Sequence, residues 1–272
     1  MVFDSQPLSQ PLAILGRPAV RLELESDRPL AFVAVRLCDV AEDGASTLIT
    51  RGLLNLAHRH GHDHPVPLEP GRRELVTIPM KAIGQVVPPG HRLRVAISQA
   101  YWPWAWPSPE RVTLTVHAGP GCSLELPVRA SWHDEAPPPP FPAPEQAPTP
   151  EVATLALEPG DHLVTRSIGD HRSTLVHRYP SYHARFAESG TEIRWREPDT
   201  FNIDERDPLA ARVSCERAVT LSRGEWGVTI EASSTMQADH DHFLVTTELR
   251  AFEGSRAIHA AAWSFRISRD HV

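Results

Sequence analysis

The sequence predicts an all-β protein, in which a jelly-roll-like antiparallel β-sandwich is followed by a second β-rich domain. Three observations lead to this fold class. Apolar and polar residues alternate with a period of two in many short segments. The 272 residues include 27 prolines, which end secondary-structure elements frequently. Long stretches with the 3.6-residue apolar period of an amphipathic helix are missing from the sequence.

The first part of the chain carries five alternating segments. Val20, Leu22 and Leu24 alternate with charged residues, which is the pattern of a half-buried strand. The other segments are Val33–Leu37, Leu93–Ile97, Val112–Val116 and Leu124–Val128. Short strands at this spacing, separated by turn residues such as Asp43 and Gly44, favour a sandwich or jelly roll.

A proline-rich stretch divides the chain. Residues 134–150 contain eight prolines and almost no residue able to build a core. Such a stretch is typical of an extended polyproline connector, which spans up to ~3.1 Å per residue. The predicted organisation is therefore a jelly roll over 1–133, a linker over 134–150 and a β segment over 151–272.

The second part predicts a β-meander. Ala211–Leu221 leads into a turn at Ser222–Glu225, and Trp226–Ala232 returns. Phe243–Phe252 and Ile258–Ile267 flank another hairpin signal at Glu253–Ser255. Residues 199–210 carry a weak pattern for a short helical turn. Their charged residues predict a solvated loop: Asp199, Asp204, Glu205, Arg206 and Asp207.

Composition excludes several function classes. The net charge of −7 and the pI near 6.1 argue against partners such as nucleic acid or anionic lipid. The number of cysteines is odd, and they lie far apart in the sequence at Cys38, Cys122 and Cys215. We therefore expect no disulfides and a location in the reducing cytoplasm. The N-terminal residues lack a signal-peptide pattern, and no segment approaches the ~20 apolar residues of a membrane span. We expect a soluble protein.

The sequence contains no motif for nucleophilic catalysis. A serine hydrolase of the α/β type needs Gly-x-Ser-x-Gly, because its serine lies on a strained turn between strand and helix. The nearest segments, Gly44–Leu48 and Gly121–Glu125, lack the second glycine. Dinucleotide and phosphate-binding glycine patterns are absent as well. We therefore expect no catalytic residue, no cofactor and no activity from this chain alone.

A histidine-rich segment raises the question of a metal site. His60, His62 and His64 would lie on one face of an extended segment and could converge on a transition metal. The alternative is a polar loop before the prolines at 65–70, since no cysteine or carboxylate cluster completes a ligand set. We expect weak, non-specific metal binding and no physiological metal.

The aromatic segment Tyr101, Trp102, Trp104 and Trp106 is the one candidate ligand platform or interface. Three tryptophans at alternate positions would share one side of an extended strand. Such platforms bind carbohydrate or peptide, or contact a partner. The alternative is that the indoles cover the core, since large aromatic side chains are mostly buried.

An ordered series of segments resembles the C-terminal jelly-roll region of the Xaa-Pro dipeptidyl-peptidase and cocaine-esterase family of serine hydrolases. The series is Phe3–Leu8, Ile14–Pro18, Ser26–Asp27, Val35–Val40, Gly52–Leu56 with His58–Arg59, Pro89–Arg94, Ala100–Pro103 and Leu126–Val128. The tail ending at Val272 is similar to an additional β segment in longer members.

The resemblance implies that this chain is the non-catalytic β domain of such a hydrolase. The Ser, Asp and His triad of the family lies in a separate α/β domain, so no catalytic residue carries over to this sequence. The resemblance also places the start of the chain within the jelly roll, with the earlier strands missing. The expected partner is that α/β catalytic domain or a second copy. The alternative is a free-standing β-sandwich module that binds carbohydrate or peptide.

Overall fold

A computed structural model describes residues 1–129 and 140–272. Strands hold 59% of the residues and helices 1%, so the all-β prediction is confirmed. The described chain forms two compact units. Unit 1 comprises Met1–Phe141 with His271–Val272, and unit 2 comprises Pro142–Asp270.

The described residues of unit 1 form ten strands and one short 3-10 helix at Leu56–His58. The strands are β1 (Val2–Asp4), β2 (Leu12–Gly16), β3 (Ala19–Ser26), β4 (Phe32–Val40), β5 (Ser46–Asn55), β6 (Glu74–Pro79), β7 (Ile83–Val87), β8 (Arg92–Ser98), β9 (Leu114–Val116) and β10 (Ser123–Glu125). The alternating patterns at β3, β4 and β8 predicted these strands correctly.

Two antiparallel sheets form the sandwich of unit 1. The first sheet has the order β1-β8-β4-β5, and in the second sheet β3 pairs with β6, β9 and β10. A two-stranded sheet of β2 and β7 completes the unit. One core cluster combines inward side chains of both sheets, such as Val35 and Leu37 from β4 with Leu24 from β3 and Ile78 from β6. Alternation places these apolar residues on the inner faces.

Unit 2 also contains ten strands. They are β11 (Val152–Glu158), β12 (Asp161–Ser167), β13 (Arg172–Arg178), β14 (Ser181–Phe186), β15 (Glu192–Arg196), β16 (Pro198–Asp204), β17 (Asp207–Arg223), β18 (Trp226–Ala238), β19 (His242–Glu253) and β20 (Arg256–Ser268). All ten join one antiparallel sheet. β17 pairs with β16 through its first half and with β15 through its second half, while β18 lies on its other side.

The predicted hairpins of unit 2 are confirmed. Arg223 pairs with Trp226, and Glu253 pairs with Arg256 across two-residue loops. Gly224 and Gly254 begin these loops with φ values of 59° and 57°. A left-handed conformation of this kind suits glycine, because it has no Cβ to clash.

The weak helical signal at 199–210 was wrong. β16 and β17 occupy this stretch, joined by a tight turn in which the Arg206 amide donates to Asp204 Oδ1 at 2.8 Å. The predicted solvated loop is also wrong at Asp199, which is 7% exposed within β16. Prolines and charges resemble a loop in sequence, but pairing with β13 and β17 satisfies this backbone in the sheet.

The predicted linker falls partly outside the described residues, since 134–139 are not described. Residues 140–150 have no regular secondary structure and are exposed. The boundaries 1–133, 134–150 and 151–272 remain a prediction.

Candidate functional site

The aromatic segment of unit 1 is a turn. The Ala105 amide donates to the Tyr101 carbonyl at 3.0 Å, and the Trp102–Pro103 peptide is cis. The expectation that three indoles share one side of an extended strand is therefore wrong. Alternate residues share a face only in an extended chain, and this segment is turned.

The tryptophans are consequently divided between two roles. Trp102 and Trp106 are half-buried and pack edge to face, with ring centroids 5.1 Å apart and planes at 84°. This is a favoured aromatic geometry. Trp104 is 62% exposed. The segment thus presents one indole to solvent rather than a platform of three.

Two arginines of the first sheet lie against this turn. The guanidinium carbon of Arg51 lies 3.5 Å from the ring centroid of Trp104 and 5.7 Å from that of Tyr101. The guanidinium carbon of Arg36 lies 5.8 Å from the same Tyr101 centroid. The register of β4 and β5 places Arg36 directly opposite Arg51. Sequence reasoning missed both arginines, because strand register is not visible in the sequence.

A second feature of unit 1 is an apolar cleft of about 280 Å³. It lies between the first and second sheets, near β1, β9 and β10. Its apolar lining includes Phe3, Val20, Val95, Ile97, Val116 and Leu124. The alternation patterns predicted most of these residues as inward-facing, but not that a gap lies between them.

Unit 2 holds a partly buried cluster around Asp199. Arg217 Nη1 donates to Asp199 Oδ1 at 2.8 Å, and Arg217 Nε lies 3.2 Å from Glu197 Oε2. Cys215 is the register partner of Asp199. Burial, followed by a hydrogen bond to Asp199, raises the pKa of Cys215 to about 11. Because only the thiolate is a good nucleophile, this cysteine is unreactive near neutral pH.

The two serines nearest to a nucleophile motif lack its geometry. Ser46 is the first residue of β5 and Ser123 the first residue of β10. A nucleophile elbow needs a turn from a strand into a helix. In residues 1–129 and 140–272, the structure contains only the 3-10 helix at 56–58. Neither serine can therefore act as the nucleophile of that fold.

The histidine segment is turned rather than extended. Gly61 has a φ of 135°, and His62 Nδ1 lies 3.2 Å from His58 Nδ1. His60 and His64 are exposed. The expected shared face of His60, His62 and His64 is therefore wrong. No group of three or more His, Cys, Asp or Glu residues within the described ranges is arranged to hold a metal ion.

Residues 1–133 match the family model of the X-Pro dipeptidyl-peptidase C-terminal non-catalytic domain. This part of the chain is similar to that domain. The match confirms the resemblance predicted from the sequence, and the two-sheet sandwich of unit 1 is consistent with it.

Curated proteins that are similar to part of this chain are named as esterases. Cocaine esterase of Rhodococcus sp. is 27% identical over 103 residues, covering 38% of this chain and 18% of that protein. A Mycobacterium bovis protein named as a serine esterase is 30% identical over 117 residues, covering 37% of this chain and 19% of that protein. The chain thus spans about a fifth of the length of these relatives.

Two solved structures share weaker similarity with this chain. An α-amino acid ester hydrolase has a TM-score of 0.45 and 22% identity, covering 47% of this chain and 25% of that chain. An aminopeptidase of a marine sediment Thaumarchaeota archaeon has a TM-score of 0.46 and 20% identity, covering 48% and 26%. Separately, no helix in the described ranges has the length and apolarity needed to cross a bilayer.

Proposed function

We propose that residues 1–133 support the α/β catalytic domain of a serine hydrolase of the Xaa-Pro dipeptidyl-peptidase and cocaine-esterase type. The observation that carries this proposal is the match of these residues to a domain family described as non-catalytic. Curated relatives about five times longer than the aligned segment, named as esterases, support a catalytic partner. Residues 134–150 then act as a linker to a second β segment over 151–272.

The apolar cleft supports a docking position for the partner. Phe3 is 41% exposed at one side of the cleft. β1 and β10, each three residues long, are edge strands of the two sheets. Unpaired backbone groups along sheet edges are positions where another strand adds. A strand of the catalytic part that adds at this edge would cover Phe3.

The activity of the partner is proposed to be ester hydrolysis, because both curated relatives are named as esterases. Xaa-Pro dipeptide release remains the second candidate, since it gives the family of the domain its name. Free thiols at Cys38, Cys122 and Cys215 support a reducing compartment such as the cytoplasm.

Sedimentation velocity tests the docking proposal. The chain would be measured alone and after co-expression with a serine hydrolase segment that carries Gly-x-Ser-x-Gly and is encoded directly upstream. We expect a 1:1 complex. Phe3→Asp should weaken it about tenfold or more, because a charge would be desolvated in an apolar contact. The control Phe141→Asp changes a side chain that is 82% exposed and should have no effect.

A stable monomer without affinity for that segment would contradict the proposal. It would favour a free-standing module that binds carbohydrate or peptide, with the exposed Trp104 as its contact residue. Association of the chain only with itself would favour a homo-oligomer instead.

A further inference from the structure

We propose that Arg36, Arg51, Tyr101 and Trp104 form a binding site for a carboxylate. The site lies on the outer face of the first sheet. This proposal is independent of docking at the apolar cleft, since the apolar strand residues that line the cleft belong to inner faces.

The guanidinium N–H groups of Arg36 and Arg51 have no hydrogen-bond acceptor among the described residues. Neither guanidinium donates a hydrogen bond to a residue of the described ranges, and neither has a carboxylate within ion-pair distance there. Each guanidinium carries five N–H donors in a planar fork. Stacking of Arg51 on Trp104 uses the face of the guanidinium and leaves its N–H groups, which point outward in the plane, available to a ligand.

The local charge also favours an anion. By strand register, the outer face of β1, β4, β5 and β8 carries Arg36, Arg51, Arg92 and Arg94 with one carboxylate, Asp4. Arg94 occupies both oxygens of Asp4, at 2.7 and 2.8 Å. The hydrogen bond from Arg94 lowers the pKa of Asp4, so this carboxylate stays ionised and paired. The face is positive in a chain of net charge −7.

The pairing of Arg36 with Arg51 is unfavourable without a ligand. Like charges directly opposite on neighbouring strands are destabilising. The Tyr101 ring, whose centroid lies within 6 Å of both guanidinium carbons, offsets this repulsion only in part. A bound carboxylate would accept from both forks and neutralise the pair. Fork-to-carboxylate contacts are short and directional, which makes a carboxylate the fitting ligand.

The carboxylate could come from a free acid or from an acidic side chain, and two probes distinguish these sources. Isothermal titration of the full chain would use benzoate, whose ring can pack on Tyr101, and acetyl-Gly-Glu-Gly-amide. Benzamide is the matched neutral control for benzoate. We expect saturable binding of at least one carboxylate and none of benzamide. The tighter probe identifies the source.

Substitutions test whether Arg36 and Arg51 bind the carboxylate. Arg36→Gln and Arg51→Gln should each weaken binding about tenfold or more. Arg36→Lys should give an intermediate affinity, because it keeps the charge and loses the fork. Arg17 is exposed in the turn after β2, and Arg17→Gln is the matched control for a change of charge, with an expected effect below about twofold.

The melting temperature provides a second readout. Arg36 is exposed, so Arg36→Gln should fold, and it should unfold at an equal or higher temperature at low ionic strength because the repulsion is relieved. The proposal is overturned if neither carboxylate binds saturably, if benzamide binds as tightly as benzoate, or if Arg17→Gln weakens binding as much as Arg36→Gln.

Discussion

Unit 1 and unit 2 use the same alternating sequence pattern but bury their apolar residues very differently. In unit 1, Leu24, Val35, Leu37 and Ile78 are fully buried between two sheets. In the described part of unit 2, the buried apolar residues are Ala184, Ala211 and Ala238. The larger apolar side chains of that unit remain half-buried or exposed.

The difference comes from the number of sheets. In unit 2, register places Trp195, Val219, Ile230 and Ala251 in one row across four strands, on one face of the sheet. Ile230 in this row is still 46% exposed. Alternation of apolar and polar residues therefore predicts a strand with one apolar and one polar face. The apolar face is buried only where a second layer packs against it. Burial contributes about 25 cal/mol per Å² of apolar surface, so unit 1 gains far more from the same pattern.

The largest expected effect is a difference between matched leucine substitutions. Leu24→Ala in unit 1 should lower the free energy of unfolding by about 3 kcal/mol, because it leaves a cavity in a closed core. Leu163→Ala in unit 2, where the side chain is 48% exposed, should cost less than about 1 kcal/mol. Urea titration followed by hydrogen exchange, resolved to each unit by mass spectrometry, measures both. Equal losses would mean that unit 2 also has a closed core.

Hydrogen exchange of the unsubstituted chain compares the local stability of strands in the two units. Central strand β4 has a partner on each side, whereas β20 is an edge strand with almost every residue exposed. Amides of β4 should exchange about 100-fold more slowly than those of β20, because β20 opens locally. The control is β19, which has two partners in unit 2 and should exchange more slowly than β20. Equal protection of β20 and β4 would show that another chain covers this edge.

A further expected effect concerns Cys215, a half-buried residue of β17 in unit 2. With a pKa of about 11 rather than 9.0, its thiolate fraction at pH 8 is about 100-fold below that of an ordinary thiol. Iodoacetamide should therefore modify Cys215 slowly, and faster as the pH rises towards 11. Asp199→Asn should lower the pKa of Cys215, because the Asp199 carboxylate disfavours the thiolate. Modification of Cys215 at the rate of an unfolded control peptide at pH 8 would contradict its burial.

The raised pKa of Cys215 also links stability to pH. The folded state holds this proton more tightly than the unfolded chain does. The contribution to stability is therefore complete below pH 9 and is lost as the pH rises towards about 11. Asp199→Asn should lower the pH at which this contribution is lost, because it lowers the pKa of Cys215 in the folded state.

Sequence patterns predicted the regular strands and the two hairpin turns of unit 2 well, and they failed at the aromatic turn of unit 1. Period-two alternation identified β3, β4 and β8, because a strand with one buried face leaves that pattern directly. The same rule placed Trp102, Trp104 and Trp106 on one face, which fails because the segment is a turn.

Contacts between residues that lie far apart in the chain could not be predicted from the sequence. The charges after Pro198 predicted a solvated loop, yet Asp199 is buried beside Arg217, which lies 18 positions further along the chain. Arg36 and Arg51 are adjacent only through strand register. Alternation assigns a residue to a face, but it does not identify the residue opposite.

The most direct test of whether this chain is non-catalytic is to assay the purified protein for hydrolysis. Turnover of a short aryl ester and of a Gly-Pro aryl amide would be followed with and without a serine-directed phosphonate. We expect rates at background for both substrates, because the nucleophile elbow with its base and oxyanion hole is missing from residues 1–129 and 140–272. Turnover that increases with the protein concentration and is abolished by the phosphonate would contradict the non-catalytic assignment.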